Sequence, residues 1–274
     1  MSFSFVDWIT AIESDRARGT LRRAHGAPPL PPWLVIEAVG QLAAWIAMAR
    51  SDFVSRPVAA LVGEVRLSGA DDGGSVDLEA RIDRLDGRAI LYSGSARAGG
   101  TQIAELARCV GPLLPTEVFD DPAALRQRLA ALRAGAPAAG AGGAEGELPG
   151  AQLAAIDLDA GSARAQLHIP TAAPFFADHF PRRPVYPASL LADAQNQLAG
   201  PLAAQLLGVA PARARLSRVA DFKVRSFSPP GQTLELVAEV RPPAGEGVRI
   251  AVSASTAGKR IASSALEYCV APPV

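Results

Sequence analysis

The chain of 274 residues is poor in several things at once. It has two cysteines, Cys109 and Cys269, which are too few for a disulfide framework and lack metal-ligand spacing. That usage fits a reducing compartment, so a cytoplasmic protein is expected. Basic and acidic side chains balance at 27 each, which argues against the basic excess of a nucleic-acid binder. The first twenty residues carry Asp7, Glu13 and Asp15 in place of the basic start and clean apolar stretch of a signal peptide. The most apolar run, Trp33 to Met48, is shorter than the roughly 20 residues a bilayer span needs, and it contains Glu37 and Gln41. No membrane span is expected. What remains is a globular chain, 49% apolar and 20% charged, long enough for one large or two small domains.

One stretch differs from the rest. Asp120 or Asp121 can cap a helix that opens with Pro122 and continues in Ala-Leu-Arg repeats to about Arg133. Gly, Ala and Pro then dominate to residue 150, a composition too poor in apolar surface to order itself. Residues 121–150 therefore read as a short helix and a linker between units 1–120 and 151–274.

The two units resemble each other. Each has a Pro-rich turn, an apolar helix, and then alternating segments with strand character. The turns are PPLPP (28–32) and PVYPA (184–188), and the helices WLVIEAVGQLAAWIAMA (33–49) and SLLADAQNQLAGPLAAQLL (189–207). Glu37 and Gln41 recur as Asp193 and Gln197, in both cases 156 positions on. Strands are expected at 58–67, 75–85, 88–98 and 101–110, and again at 214–226, 233–240, 248–256 and 260–270. Each half is then a helix wrapped by an antiparallel sheet, and side-by-side pairing would join the sheets and cover their edges. Cys109 and Cys269 fall at matching strand ends and read as small buried residues. His168, in ARAQLHIP, reads as a strand residue, and His25 as a residue of a Pro/Gly-rich loop.

The sharpest motif is FFADHFPRRPVYPASLLADAQNQL (175–198). Closely spaced prolines fix an extended path before the helix, and Asp193 follows His179 by 14 positions. This segment resembles the signature of the β-hydroxyacyl-acyl-carrier-protein dehydratases of the hotdog fold, and FKVRSFSPPGQTLEL (222–236) resembles the strand, Pro-Gly turn and strand that follow it there. The resemblance implies an α+β double hotdog and places His179 on the catalytic histidine, Asp193 on the catalytic acid and Gln197 on the helix glutamine. The first half matches more weakly. Glu37 and Gln41 fall on the acid and glutamine, and Pro28 and Pro31 on two prolines. Arg23 stands where the histidine belongs, and Pro32, which has no backbone N–H, stands where a glycine belongs.

In that family each active site takes its histidine from one unit and its acid from the other. The resemblance thus implies one composite site, His179 with Glu37, and one degenerate site in which Arg23 and Asp193 could form an ion pair. Dehydration of a 3-hydroxyacyl thioester removes a proton at C2 and loses the C3 hydroxyl. A histidine can take the first, and a carboxyl holding its proton in an apolar setting can assist the second. A helix N-terminal N–H, from Ala188 or Ser189, would stabilise charge on the thioester oxygen. No cofactor or metal is implied, because the substrate rides on the phosphopantetheine of an acyl carrier protein. Arg182, Arg183, Arg213, Arg215, Arg218, Lys223 and Arg225 would attract that acidic partner. The halves would form a pseudo-dimer, open to further self-association. A non-catalytic carrier-protein-binding pseudoenzyme, or the partner subunit of an active dehydratase, fits the departures at Arg23, at Pro32 and at Ala188, which stands where the resemblance implies a glycine in the second half. A hotdog acyl-thioesterase is a lesser alternative.

Overall fold

The computed structural model describes residues 3–23, 30–68, 74–135, 151–154, 156–159, 161–242 and 247–272. His25, Pro28 and the linker residues 136–150 lie outside these. The first half supplies β1 (Trp8–Ile12), β2 (Arg16–Leu21), α1 (Pro32–Arg50), β3 (Ser55–Pro57), β4 (Leu61–Leu67), β5 (Val76–Leu85), β6 (Ala89–Ala98) and β7 (Thr101–Pro115). After it comes α2 (Pro122–Arg133), capped as expected by Asp121, whose side chain accepts from the Ala123 N–H. The second half supplies β8 (Asp157–Leu158), β9 (Ser162–His168), α3 (Ala188–Leu207), β10 (Ala214–Val224), β11 (Thr233–Arg241), β12 (Val248–Thr256) and β13 (Lys259–Val270).

All the strand pairings are antiparallel. One sheet runs β1-β2-β5-β6-β7-β4-β10-β13-β12-β11-β9-β8, and β3 pairs with β7. The halves meet where β4 pairs with β10. There Glu64 opposes Ala220, the residue 156 positions further on. A twofold axis relating the halves crosses at that pair, so the junction is the self-complementary contact of a symmetric dimer, formed within one chain.

The expected strands are present with ends shifted by a few residues. β1, β2 and the short β3 and β8 are additional. The burial of β2 does alternate, but its inward residues are Ala17, Gly19 and Leu21, too small a set to stand out as an apolar pattern. β1 and β2 extend the edge of the first half over α1.

The sheet wraps α1 and α3. Leu34, Ala38, Val39, Leu42 and Ile46 of α1 are fully buried, as are Leu190, Ala194, Leu198 and Leu202 of α3. α1 has 19 residues and is apolar enough to cross a bilayer by length and composition, yet it sits as a core helix inside the sheet. Gly94 lets it approach: a Cβ there would come within 2.5 Å of Val39 Cγ1 and of the Glu79 carbonyl.

The outer face of the junction is ionic. Glu64 is nearly buried and receives Arg218 at 2.8 Å, Arg66 at 3.0 Å and Arg108 at 3.2 Å. Arg218 also reaches Glu267 at 2.8 Å. The Arg66 and Arg218 guanidiniums hold the Glu64 carboxyl down at about 2, against the opposing cost of its burial.

Candidate active site

The N-terminus of α3 and the motif before it build one wall of a cavity of about 170 Å³. His179 N–H bonds to the Phe175 carbonyl at 2.9 Å, and Val185 N–H bonds back to the His179 carbonyl at 3.2 Å. The imidazole Nδ1 lies 3.1 Å from the Val185 carbonyl oxygen. That oxygen can only accept, so Nδ1 carries the proton and Nε2 keeps a free lone pair. Burial pushes the His179 pKa below the usual histidine value; Glu37 pulls it up and Arg56 pushes it further down. A neutral imidazole with an open Nε2 is the form that can accept a proton.

The other wall is α1. Ile36, Glu37, Gly40, Gln41, Ala44, Trp45 and Met48 all line the cavity. Their spacing is one helical face, about 18 Å long at 1.5 Å per residue. Glu37 and His179, from opposite halves of the chain, therefore border the same space. Gln41 holds the acid: its Nε2 donates to Glu37 Oε1 at 2.9 Å.

The chain's N-terminal segment fastens this arrangement, and the sequence motifs gave no sign of it. Gln41 Nε2 also donates to the Phe3 carbonyl at 3.0 Å, and Phe5 N–H donates to Gln41 Oε1 at 2.9 Å. Phe3 N–H donates to Asp178 Oδ2 at 2.8 Å, and the Phe3 ring meets the His179 ring edge-on at 5.4 Å. Residues 3–5 thus tie the Glu37 helix to the His179 loop. Arg56, Tyr92, Asp120 and Arg128 also line the cavity and were not singled out from sequence. A lone arginine after a helix, or a tyrosine in a strand, carries no spacing signal that points to a site in the other half of the chain.

Ala188 and Ser189 border the cavity as well. They are the first residues of α3, whose cap is Pro187 with no side-chain hydrogen bond, so their N–H groups have no acceptor within the helix.

The counterpart positions form a second, much smaller cavity of about 20 Å³, room for roughly one water. Asp193 lies there beside Pro32 and Trp33. Trp33 occupies the place that Ser189 has in the open site, and its indole is buried. Asp193 accepts from Ala151 N–H at 3.2 Å and from Gln197 Nε2 at 2.8 Å, a copy of the Glu37–Gln41 arrangement. An ion pair with Arg23 would hold this carboxyl below the usual range. Burial instead raises it, with Ala151 and Gln197 as the opposing influences, so the expected pair does not govern Asp193.

The basic residues expected to attract a partner do not form one patch. Arg213 and Arg215 stand at the start of β10, whereas Val224 and Ser226 border the cavity at its other end, about 30 Å away at 3.3 Å per residue. Arg215 donates to the Leu67 carbonyl and Arg218 is held by Glu64 and Glu267, so both fasten the junction. Lys223 pairs with Asp221 at 3.4 Å, and Arg225 donates to Ser263. Arg182 and Arg183 follow the cavity-lining Phe180 closely in sequence, and Arg225 lies between the lining residues Val224 and Ser226; Arg183 covers the rings of Phe119 and Phe227, and Arg182 donates to the Glu117 carbonyl. His168 is exposed on β9, 3.0 Å from Thr233 Oγ1. Burial pushes the Cys109 thiol up to about 12, which leaves it unreactive.

Residues 152–260 match the FabA-like domain family. Solved structures with the same fold cover almost the whole chain. A Lactobacillus plantarum protein provisionally assigned as an oleoyl thioesterase aligns with a TM-score of 0.62 and 12% identity, over 94% of this chain and 97% of that one. The dehydratase domain of the polyketide PpsC from Mycobacterium tuberculosis aligns at 0.54 and 17%, over 98% of both chains. The pyran synthase domain from module nine of the sorangicin pathway aligns at 0.55 and 15%, again over 98% of both. At these identities the structures establish the fold alone. The protein is a double hotdog within a single chain, and its second half resembles the FabA-like dehydratase domains of that fold.

Proposed function

We propose that this protein dehydrates 3-hydroxyacyl thioesters carried by an acyl carrier protein to trans-2-enoyl thioesters, at one composite site. The observation that carries the reading is that His179, within the segment that matches the FabA-like domain, and Glu37 from the first half border one cavity. His179 Nε2 takes the C2 proton. The Glu37 carboxyl, held through one oxygen by Gln41, turns the other to the C3 hydroxyl and assists its departure as water. The N–H groups of Ala188 and Ser189 face the thioester oxygen as charge builds on it. No cofactor enters the reaction, and the proton lost from C2 balances the hydroxide lost from C3. Arg182 and Arg183, close in sequence to the cavity-lining Phe180, would attract an acidic carrier protein there.

The test is to incubate the protein with 3-hydroxyacyl and trans-2-enoyl carrier protein and follow interconversion by mass. Loss or gain of one water that disappears in both His179→Ala and Glu37→Gln is the expected result. Activity that survives Glu37→Gln but is lost in Asp193→Asn would overturn the composite site. Release of free thiol would point to thioester hydrolysis. Carrier binding without turnover would point to a pseudoenzyme or a partner subunit.

A further inference from the structure

Arg56 belongs to β3 in the first half, yet its guanidinium carbon lies 4.1 Å over the ring of Phe180 in the second. The same phenyl ring stacks on the imidazole of His179, with centroids 4.2 Å apart and planes 21° apart. Two groups that close do not share one face of a ring, so Arg56 and His179 take opposite faces. The guanidinium is then no more than about 8 Å from the imidazole, these being the two spacings end to end. Phe119 closes the edge of the phenyl at 5.1 Å.

Such a guanidinium is costly to keep. Its side chain is 13% exposed, its ion pair with Asp120 is long at 3.3 Å, and its Nε is buried without a hydrogen-bond partner. An apolar side chain would pack on Phe180 without these costs, so packing does not account for the charge. What the charge adds is a field at His179. The other charged groups around the cavity that the imidazole borders are Glu37 from α1, Asp178 beside it in sequence, Asp120 and Arg128 of α2. Asp178 is tied to Phe3 N–H and lies 3.9 Å from Arg128. Asp120 is ion-paired with Arg56.

We propose that Arg56 is a positioning residue for His179, acting through Phe180: the stack fixes the imidazole plane, and the fixed positive charge behind it favours the neutral, basic form. The proposal rests on the reading of His179 as the base, and it names a residue outside the motif on which that base depends. It also makes the second half's histidine depend on the first half, since β3 and Asp120 both precede the linker.

The test is an NMR titration of His179, its signal assigned by comparison with His179→Gln, in the wild type and in Arg56→Met, Arg56→Gln and Arg56→Lys. The two neutral variants should raise the His179 pKa by roughly half to one unit, and Arg56→Lys should leave it near the wild-type value. The acid limb of kcat/KM should move to higher pH by the same amount in the neutral variants, and Arg56→Lys should lose turnover without that shift. If Arg56→Met does not fold, Arg56→Gln, which can still bond Asp120, gives the same comparison. An unchanged titration in the neutral variants, or an equal rise in Arg56→Lys, overturns the proposal. Shifted titrations in a protein that turns over no 3-hydroxyacyl substrate overturn the dehydratase reading and leave the Arg56 inference standing.

Discussion

Gly40 offers a perturbation whose effects on stability and on activity have opposite signs. It lies in the middle of α1, one turn beyond Glu37, on the face that lines the cavity. Glycine inside a helix is about 1 kcal/mol worse than alanine, so Gly40→Ala gains roughly that much from the backbone. The new Cβ would stand 3.3 Å from the Tyr92 hydroxyl, so the tyrosine must give by a few tenths of an ångström, at a cost of a few tenths of a kcal/mol. A net gain of about 0.5 kcal/mol raises Tm by about 1–2 °C in a chain of this size. Activity should go the other way, and only for some substrates. The rise from Glu37 to Gly40 is about 4.5 Å. A four-carbon substrate with its C3 hydroxyl at Glu37 ends before Gly40, whereas a long acyl chain must pass it toward Ala44 and Met48. A methyl pushed into that path costs about 1–2 kcal/mol, or 5- to 30-fold in kcat/KM for the long substrate, with the short one changed less than about twofold. Thermal unfolding and turnover of matched short and long 3-hydroxyacyl carrier proteins read both signs. An equal loss on both substrates would show that the α1 face is not the acyl path. A lower Tm would show that Tyr92 cannot yield.

Gln41→Ala should lower kcat at least tenfold with little change in KM, because it frees Glu37 and cuts the N-terminal clasp; circular dichroism separates this from unfolding. Asp193→Asn should leave turnover unchanged and raise Tm at pH 7. The folded Asp193 pKa lies above its unfolded value, so ionising it costs stability as pH rises above about 4, and the advantage of Asn should vanish below that pH in parallel melts. Glu64→Gln should destabilise in urea at pH 7. The folded Glu64 pKa is depressed to about 2, so its contribution is complete above the unfolded value near 4.3 and fades as pH falls toward 2, where mutant and wild type should unfold alike.

Much of the fold was legible because long elements carry strong periodicity. The helix patterns of 33–49 and 189–207 match α1 and α3 within a residue or two at most of their ends, and the β-branched runs are the long central strands. The misses follow from small side chains and from distance. β2 alternates with Ala and Gly on its inner face, and β8 is a two-residue strand, too short for any period. The site was legible only as far as a motif reaches along the chain. The pairing of Glu37 with His179 could be argued from register, since it needs only the repeat offset. The Phe3–Gln41 clasp and the Arg56–Phe180–His179 stack could not, because each joins residues with no common spacing. The arginine cluster shows the reverse error. Arg215 and Arg218 are neighbours in sequence of the groups near the cavity, but a β-strand carries them about 3.3 Å farther with every residue, into the junction between the halves.

The two cavities differ, and on the proposed dehydratase reading that difference accounts for a single site. The acid and its glutamine are kept in both halves, with the same hydrogen bond between them, 2.9 Å in one and 2.8 Å in the other. The difference lies in the residues that face each acid from the opposite helix. Glu37 faces Ala188 and Ser189, small residues with free N–H groups. Asp193 faces Pro32, which has no N–H, and Trp33, whose buried indole packs against Phe3 and Phe5. Loss of the histidine at Arg23 alone would leave an open pocket with one catalytic group. Pro32 removes a helix N-terminal donor as well, and the space beside Trp33 and Asp193 is only about 20 Å³. On the proposed dehydratase reading, the changes at Arg23 and Pro32 thus remove the base and a donor. A double substitution of Pro32 and Trp33 by Gly and Ser should therefore enlarge the second cavity without creating turnover there, because Arg23 still stands where the base would be. Turnover that persisted in such a variant after His179→Ala would show that the second site had retained a base of its own.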